Sequence, residues 1–509
     1  MRLPTYQLYA LAIGLGGLQA MALSYPAGGW VSPLLQITGM VGLLRITQAK
    51  HAFRLTWLFA TTWLCASVWW LFIALHTFGQ LPALLAVLAI VLLCGGLSLY
   101  YACAVKLYAW SQSSVPPVVQ ACMFAACWTA AEMARAQWFT GFPWAAVGYA
   151  HVDGQLSGLS SYVGVYGVGF AAAWVSAMTV AAWNSKQKRI KQIAVLGFAV
   201  ALPVSIAVPD AHTTGLRVAL LQGNIAQDEK FAAARQQAMD WYQQSMQSSQ
   251  AQVTVLPETA IPYFKSELPA KTWEGLTDKF MSGDQAAIIG IPTRDGVNGF
   301  GNSAMGVGMD GGTAQYDKHH LVPFGEFTPA SLRWFTNMMK LGFADFNRGP
   351  VGPAPFAWRG HQLAVNICYE DLFGEELAKR FVSHPHSIPS VMVNISNIAW
   401  FGNTVVIRQH LNIARMRSLE FKTPSIRATN SGGTAIINAQ GVITHQLAPY
   451  TRGILQGDVA PQSGVVTPFA YWAGHWGLKP LWLICLGIMM WVSVHTWRSR
   501  QNKHDGGDK

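Results

Sequence analysis

The chain has 509 residues and a formal net charge of +11, yet only 12% of its residues are charged and 51% are hydrophobic, with 21 tryptophans. Soluble domains carry roughly 25% charged residues, so this composition excludes a wholly soluble protein and points to a large membrane-embedded fraction. The excess positive charge needs no nucleic-acid partner, because much of it falls in short loops that mark one membrane face.

Apolar residues crowd into 1–208 and again near the C-terminus. Spanning a hydrocarbon core of roughly 30 Å takes about 20 apolar residues in a helix. Seven stretches meet or approach that length, near 5–24, 28–45, 54–77, 82–105, 115–134, 160–183 and 190–208, and an eighth lies near 476–496. The stretch 28–45 is the most interrupted, by Gly, Ser, Pro and Gln. The basic residues Arg2, then Arg45, Lys50 and Arg54, then Lys106, then Lys186, Lys188, Arg189 and Lys191, and finally Arg498, Arg500 and Lys503 fall at alternate membrane ends. Eight spans with both termini cytoplasmic satisfy that alternation and put residues 209–470 on the opposite side. A cleavable signal peptide over 1–24 is the alternative; it leaves seven spans and gives Arg2 no role. The expected organisation is a transmembrane domain over 1–208, an extracytoplasmic domain over 209–470, a C-terminal transmembrane helix over 471–497 and a cytoplasmic tail over 498–509.

At the end of the fifth span, Glu132 and Arg135 are three residues apart and share a helical face. Ionisable groups so near the membrane suggest function, with each other as partners. An interfacial pair that anchors the helix end is the ordinary reading. The "TGFPW" that follows is expected to shape the mouth of a lipid cavity.

From residue 215 the pattern changes to strands and polar turns. "LRVALLQGN" reads as a strand, 228–250 as a polar helix, "VTVLPETA" as a strand ending at Glu258, and "AAIIGIPT" as another strand. "GNSAMGVG" and "GTAQYDKHHLVPFGEF" read as a hairpin and a loop. "HQLAVNICYE" and "SVMVNISN" are two further strands, "TVVIRQHLNIARMRSLEFK" is a helix, and "SIRATNSGGTAIINAQG" is a closing hairpin. The runs are apolar on both faces, as in sheets covered on both sides. This is an α/β layered domain.

Six of the seven cysteines sit in apolar spans, where a thiol acts as a small hydrophobe; only Cys368 lies in the domain. It ends the strand "LAVNIC" and is followed by Tyr369, Glu370 and Asp371. Glu258 and Lys318 also lie at or just past strand ends. Ligands gather at carboxyl ends of strands in open α/β sheets, so the three could converge. A carboxylate can take the thiol proton, and a lysine can favour the thiolate and hold an oxyanion. The ordinary reading is a core cysteine, a turn at "PET" and a solvated lysine. No H-E-x-x-H or C-x-x-C offers a metal site, and no metal or cofactor is expected.

Glu258 in "LPETAIP", Lys318 in "YDKHHLVPFGEF" and Cys368 in "NICYEDLF" resemble the Glu-Lys-Cys triad of the nitrilase superfamily. Together with "VNISNIAWFGNT", "RSLEFKTPSIRATNSGGTAII" and "FTGFPWAAVGYA", they resemble more narrowly the apolipoprotein N-acyltransferase family over nearly the whole chain. The resemblance implies an αββα sandwich inserted in a polytopic α-helical membrane domain. It implies transfer of an acyl chain from a phospholipid to the α-amine of a diacylglyceryl-modified apolipoprotein cysteine, through a thioester. Glu258 is then the general base, Lys318 the oxyanion stabiliser and Cys368 the nucleophile, supported by Glu326, Tyr369 and Glu370. The setting is the periplasmic side of a bacterial inner membrane, and the chain is taken to act as a monomer. Phe231 departs from the family, which often has Trp there.

The segment 331–343, "LRWFTNMMKLGFADF" with its flanks, carries exposed-type apolar residues suited to lipid, although a core helix is the ordinary reading. Trp334, Phe335, Phe231 and Trp400 are the lipid-contacting candidates. A membrane-tethered amidohydrolase with the same triad, and a transporter with an external domain, are the rival classes; the broken helix pairs of a transporter are not seen in the sequence. The topology predicts that a periplasmic reporter fused after residue 209 is active and one fused near Lys188 is inactive; the reverse pattern would overturn the span count.

Overall fold

The computed structural model describes residues 4–24, 29–47, 51–112, 114–190, 192, 215–227, 235–295, 299–309, 312–329, 333, 345–462 and 464–505. The chain forms two compact units, Met1–Ile206 with Trp476–Lys509, and Ala207–His475. Each is taken by itself.

The first unit is helical, with helices Thr5–Ser24, Val31–Ile46, Ala52–Val68, Ala83–Ser111, Pro117–Gln137, Ser160–Asn184 and Lys479–Asp505. Among the described residues, four of these are long and apolar enough to cross a membrane, or five if Ala52–Val68 and Leu71–Phe78, bent by 64°, count as one span. The eight expected spans are therefore not reproduced. Val31–Ile46 has 16 residues, about 24 Å at 1.5 Å per residue and short of the hydrocarbon thickness. Pro117–Gln137 is long enough but too polar to meet the same test. It is an interior helix, buried along most of its length, so its side chains answer to protein neighbours and not to lipid. The span expected near 190–208 lies outside the described residues apart from Ile190 and Gln192.

Tryptophans fill that interior. Trp128 stacks on Trp63 at 5.9 Å and lies 4.8 Å from Tyr101 between ring centroids. Glu132 and Arg135 are both fully buried, but they do not form an ion pair with each other, contrary to expectation. Each holds the loop that follows instead. Glu132 accepts the Val147 N–H at 2.9 Å. Arg135 donates to the Tyr101 hydroxyl at 2.9 Å and to the carbonyls of Phe142, at 2.6 Å, and Trp144. The reason is local: irregular backbone inside an apolar bundle has no water to bond, so buried charged side chains satisfy it.

The second unit is built from β1 (Leu216–Gln222), β2 (Val253–Val255), β3 (Ala286–Asp295), β4 (Gly299–Met309), β5 (Gly312–Asp317), β6 (Phe356–Trp358), β7 (His361–Ile367), β8 (Val391–Ser396), β9 (Ser425–Thr429), β10 (Ala435–Ile437), β11 (Ile443–Gln446) and β12 (Gly453–Val459). They make two six-stranded sheets, ordered β12-β1-β2-β3-β4-β5 and β11-β10-β9-β8-β7-β6. Period-two alternation explains the layers. Val218, Leu220, Val253 and Ile288 of one sheet meet Val365, Ile367, Val393 and Ile426 of the other in a shared core. Ala219, Leu221, Ala287 and Ile289 point the other way, onto helices Arg235–Ser248 and Ala270–Met281. Met392 packs with Phe421 of helix Val406–Phe421 and Phe469 of helix Pro468–Trp476. The result is an αββα sandwich. Helix Ala270–Met281 and strands β6, β11 and β12 were not foreseen, the strands being short or partly exposed.

In the first unit, Arg135→Met takes the guanidinium donor away from two buried loop carbonyls and should cost about 2–4 kcal/mol. A melting curve that does not move would remove Arg135 from the account of this loop.

Candidate active site

Three strand ends bring the site together. The chain leaves β2 at Val255, and Glu258 follows in the turn Pro257–Ala260, not within the strand as expected. Pro257 lacks an N–H and Thr259 adopts φ 49°, so the ladder stops before Glu258. Gly290 on β3 makes room for this turn: a Cβ there would lie 2.1 Å from the Pro257 carbonyl oxygen and 2.9 Å from the Glu258 Cα. Lys318 follows β5 immediately, its N–H bonded to the Asn302 carbonyl at 2.9 Å. Cys368 follows β7 with φ 52°. A left-handed non-glycine residue costs of order 1–3 kcal/mol and persists only where its surroundings hold it.

The charges converge on one ammonium. Lys318, 1% exposed, places Nζ 2.8 Å from Glu326 Oε1 and 3.5 Å from Glu258 Oε1. Asn302 Nδ2 donates to both of those oxygens at 2.7 Å. The remaining oxygens are held by backbone: Asn397 N–H donates to Glu258 Oε2 and Val322 N–H to Glu326 Oε2, each at 2.8 Å. Asn397 is fixed in turn through its side chain, which donates to Gln227 at 2.7 Å and accepts from Asn430 at 3.2 Å.

Glu370 is a fastener. It accepts from the Tyr316 hydroxyl and the Ile367 N–H at 2.6 Å, from the His319 N–H at 2.7 Å and from the His320 N–H at 3.1 Å. One buried carboxylate thus ties the loop after Lys318 to the strand end before Cys368. Burial, and the nearby Glu370 charge, hold the Tyr316 phenol well above its ordinary value, so it stays a donor. Tyr369 packs edge-on against Phe373 at 5.3 Å, and Phe373 stacks on His320 at 3.4 Å. Trp400 follows β8 in the turn Ala399–Phe401 and is 40% exposed. Phe231, Trp334 and Phe335, with most of 331–343, lie outside the described residues.

The electrostatics divide the roles. Burial, then the Glu258 charge, push the Cys368 thiol up to about 12 against the pull of Lys318. Burial pulls the Lys318 ammonium down, but Glu326 and Glu258 outweigh it and hold it above its ordinary value. Both shifts favour a neutral resting thiol beside a charged ammonium. Such a thiol reacts only when a base takes its proton during attack. For Asn302 and Asn397 the sequence signal is a polar residue inside otherwise small or apolar strand-like runs, such as Asn302 in "GNSAMGVG"; Gln227 and Tyr316 carry no such signal. No group of His, Cys, Asp and Glu among the described residues is arranged to hold a metal ion.

A raised thiol is under-ionised at neutral pH, so iodoacetamide should alkylate Cys368 at pH 7.5 at least tenfold more slowly than a free cysteine of ordinary value near 8.5. The rate should still climb above pH 10; a plateau below pH 8 would contradict the neutral resting thiol.

Residues 16–178 match the family model described as apolipoprotein N-acyltransferase N-terminal domain, and 217–468 match that of carbon-nitrogen hydrolase. An apolipoprotein N-acyltransferase of Verminephrobacter eiseniae is 44% identical over 502 residues, covering 92% of this chain and 93% of that protein. One from Ralstonia nicotianae is 37% identical, covering 90% and 88%. Among solved structures, an amidase of the nitrilase superfamily from Nesterenkonia matches 52% of this chain and 95% of its own, at 17% identity and a TM-score of 0.37. Matched along most of its length, the chain belongs to the apolipoprotein N-acyltransferase family.

Proposed function

We propose that this acyltransferase moves an acyl chain from a phospholipid to the N-terminal α-amine of a diacylglyceryl-cysteine apolipoprotein, by way of a thioester on Cys368. The observation that carries the reading is Lys318 Nζ set 3.5 Å from Glu258 in a site shared with the Cys368 thiol. Glu258 takes the Sγ proton as sulfur attacks the ester carbonyl of the phospholipid. The oxyanion forms against Lys318, whose charge is already desolvated and needs no reorganisation. Collapse expels the lysophospholipid oxygen, which takes the proton back from Glu258, and leaves the acyl group on sulfur. The lipoprotein amine then attacks the thioester, Glu258 receives its proton, and the cysteine sulfur leaves and is reprotonated. Glu326 balances Lys318, and Glu370 and Tyr369 support the site.

The alternating basic loops support a finer placement: the second unit on the periplasmic side of the inner membrane, both termini cytoplasmic, and eight spans in all. Both substrates are lipids, so a helical membrane unit in the same chain suits their entry from the bilayer. Trp334, Phe335, Phe231 and Trp400 are proposed to contact acyl chains.

Phospholipid alone should acylate the enzyme and stall it, since no amine is present. The acyl group should sit on Cys368, be released by neutral hydroxylamine, and disappear on adding a diacylglyceryl peptide with a free N-terminus. Cys368→Ala should never acquire it. Glu258→Gln should slow its formation roughly 10²–10⁴-fold, and Lys318→Ala comparably, since an oxyanion contact is worth about 3 kcal/mol. Acylation without Cys368, or a thioester that water clears as fast as the peptide does, would sink the transferase reading; the second result would favour an amidohydrolase.

A further inference from the structure

Behind the nucleophile lies a second polar network that the chemistry above does not use. Asn366 on β7, Asn394 on β8 and Arg427 on β9 are in register across adjacent parallel strands. All three are buried, at 2%, 0% and 1% exposure. Their sequence neighbours Val365, Val393 and Ile426 point into the core between the sheets, so by alternation the three polar side chains share the opposite face. Helix Val406–Phe421 brings His410, 2% exposed, to them.

The contacts form a chain that ends on the nucleophile. Asp371 accepts from Asn366 and from Arg427. Arg427 Nη2 meets His410 Nδ1 at 3.1 Å. His410 Nε2 lies 3.3 Å from the carbonyl oxygen of Cys368, and Asn394 Nδ2 donates to the same oxygen at 3.4 Å. A guanidinium carries donors only, so Nδ1 must be the acceptor, and the ring proton of a neutral His410 must sit on Nε2, facing Cys368. Burial and the Arg427 charge hold the imidazole well below its ordinary value, which agrees with a neutral ring. The charged groups that face it are Arg427 from β9, Asp371 at 3.9 Å from the turn after β7, and Lys318 from the turn after β5.

We propose that His410, set in one tautomer by Arg427 and Asp371, is a positioning residue that clamps the Cys368 carbonyl and thereby holds the left-handed nucleophile turn in its reactive orientation. The clamp acts through a rigid unit. A trans peptide is planar, so fixing the Cys368 oxygen also fixes the plane of the Cys368–Tyr369 peptide and the direction of the Tyr369 N–H. Without it, the strained φ 52° at Cys368 loses one of the two side-chain donors on its carbonyl, and Asn394 alone remains. Sulfur would then spend less time on line with its target, and misplacement by about 1 Å can cost 10²-fold in rate.

The inference rests on thioester formation at Cys368, so the test measures that step in the full-length protein, with vesicles of phosphatidylethanolamine and phosphatidylglycerol and no peptide. His410→Phe should lower the acylation rate at saturating lipid at least 30-fold, with the lipid concentration for half-maximal rate moved less than threefold. His410→Gln, which can offer an amide N–H where Nε2 stood, should recover the rate to within about fivefold of the parent. Arg427→Gln removes the donor that fixes the tautomer at Nδ1 and should slow acylation, whereas the same change in a His410→Gln background, where there is no tautomer to fix, should slow it no further. Where His410→Phe fails to fold, that double variant decides. Parent-like acylation in His410→Phe, a His410→Gln variant as slow as His410→Phe, or an Arg427→Gln change that slows the His410→Gln protein as much as it slows the parent would each overturn the clamp. Absence of any thioester in the parent protein would instead remove the proposed function.

Discussion

One desolvated ammonium sets the terms for this protein. Lys318 is shared by Glu326 and Glu258 in a pocket nearly closed to water. Two carboxylates against one cation leave the pocket with an excess of negative charge, which discourages a resting thiolate on Cys368. Passing the thiol proton to Glu258 conserves the local charge, whereas ionising the thiol outright would add to it. In the proposed mechanism the nucleophile is made only as it is used, and the same cation is left to face the oxyanion. Buried charges of this kind are costly unless every oxygen and proton finds a partner. That requirement accounts for Asn302, for the backbone N–H groups of Val322 and Asn397, and for the side chains that hold Asn397 in place.

Much of the sandwich reads as scaffolding for that arrangement. Parallel strands β7, β8 and β9 carry apolar residues on the face toward the first sheet and a row of amides and a guanidinium on the other. The apolar face supplies the packing that makes the strand ends rigid. The polar face supplies hydrogen bonds to the nucleophile turn. Glu370 does the corresponding work between the two sheets, joining the end of β7 in one to the loop after β5 in the other. A thiol held from both sides can occupy a backbone conformation that it would not choose alone.

The helical unit follows the same rule under a different solvent. Glu132 and Arg135 looked like each other's partners because helical spacing puts them on one face, and spacing was all the sequence offered. Peptide groups in the loop after Gln137 take them instead. The same helix shows why hydropathy alone does not count the spans: one buried along most of its length need not be apolar, so composition no longer reports what it crosses.

The sequence by itself determined the chemical type of the protein. Its depleted charge and clustered apolar runs marked a membrane unit, period-two runs marked a layered α/β domain, and a lone thiol at a strand end marked Cys368. Glu258, Lys318 and Cys368 could be nominated from the sequence because each sits in a short motif whose residue types are few and whose spacing is local. What only the tertiary structure decided was who touches whom across long separations. Asn302 lies 44 residues from Glu258, His410 lies 42 from Cys368, and Arg427 lies 56 from Asp371. No periodicity carries such pairings, because they arise from strand register and from a helix laid across a sheet. The desolvation that raises the Cys368 thiol has the same origin: burial belongs to the packed layers and to no segment of the chain.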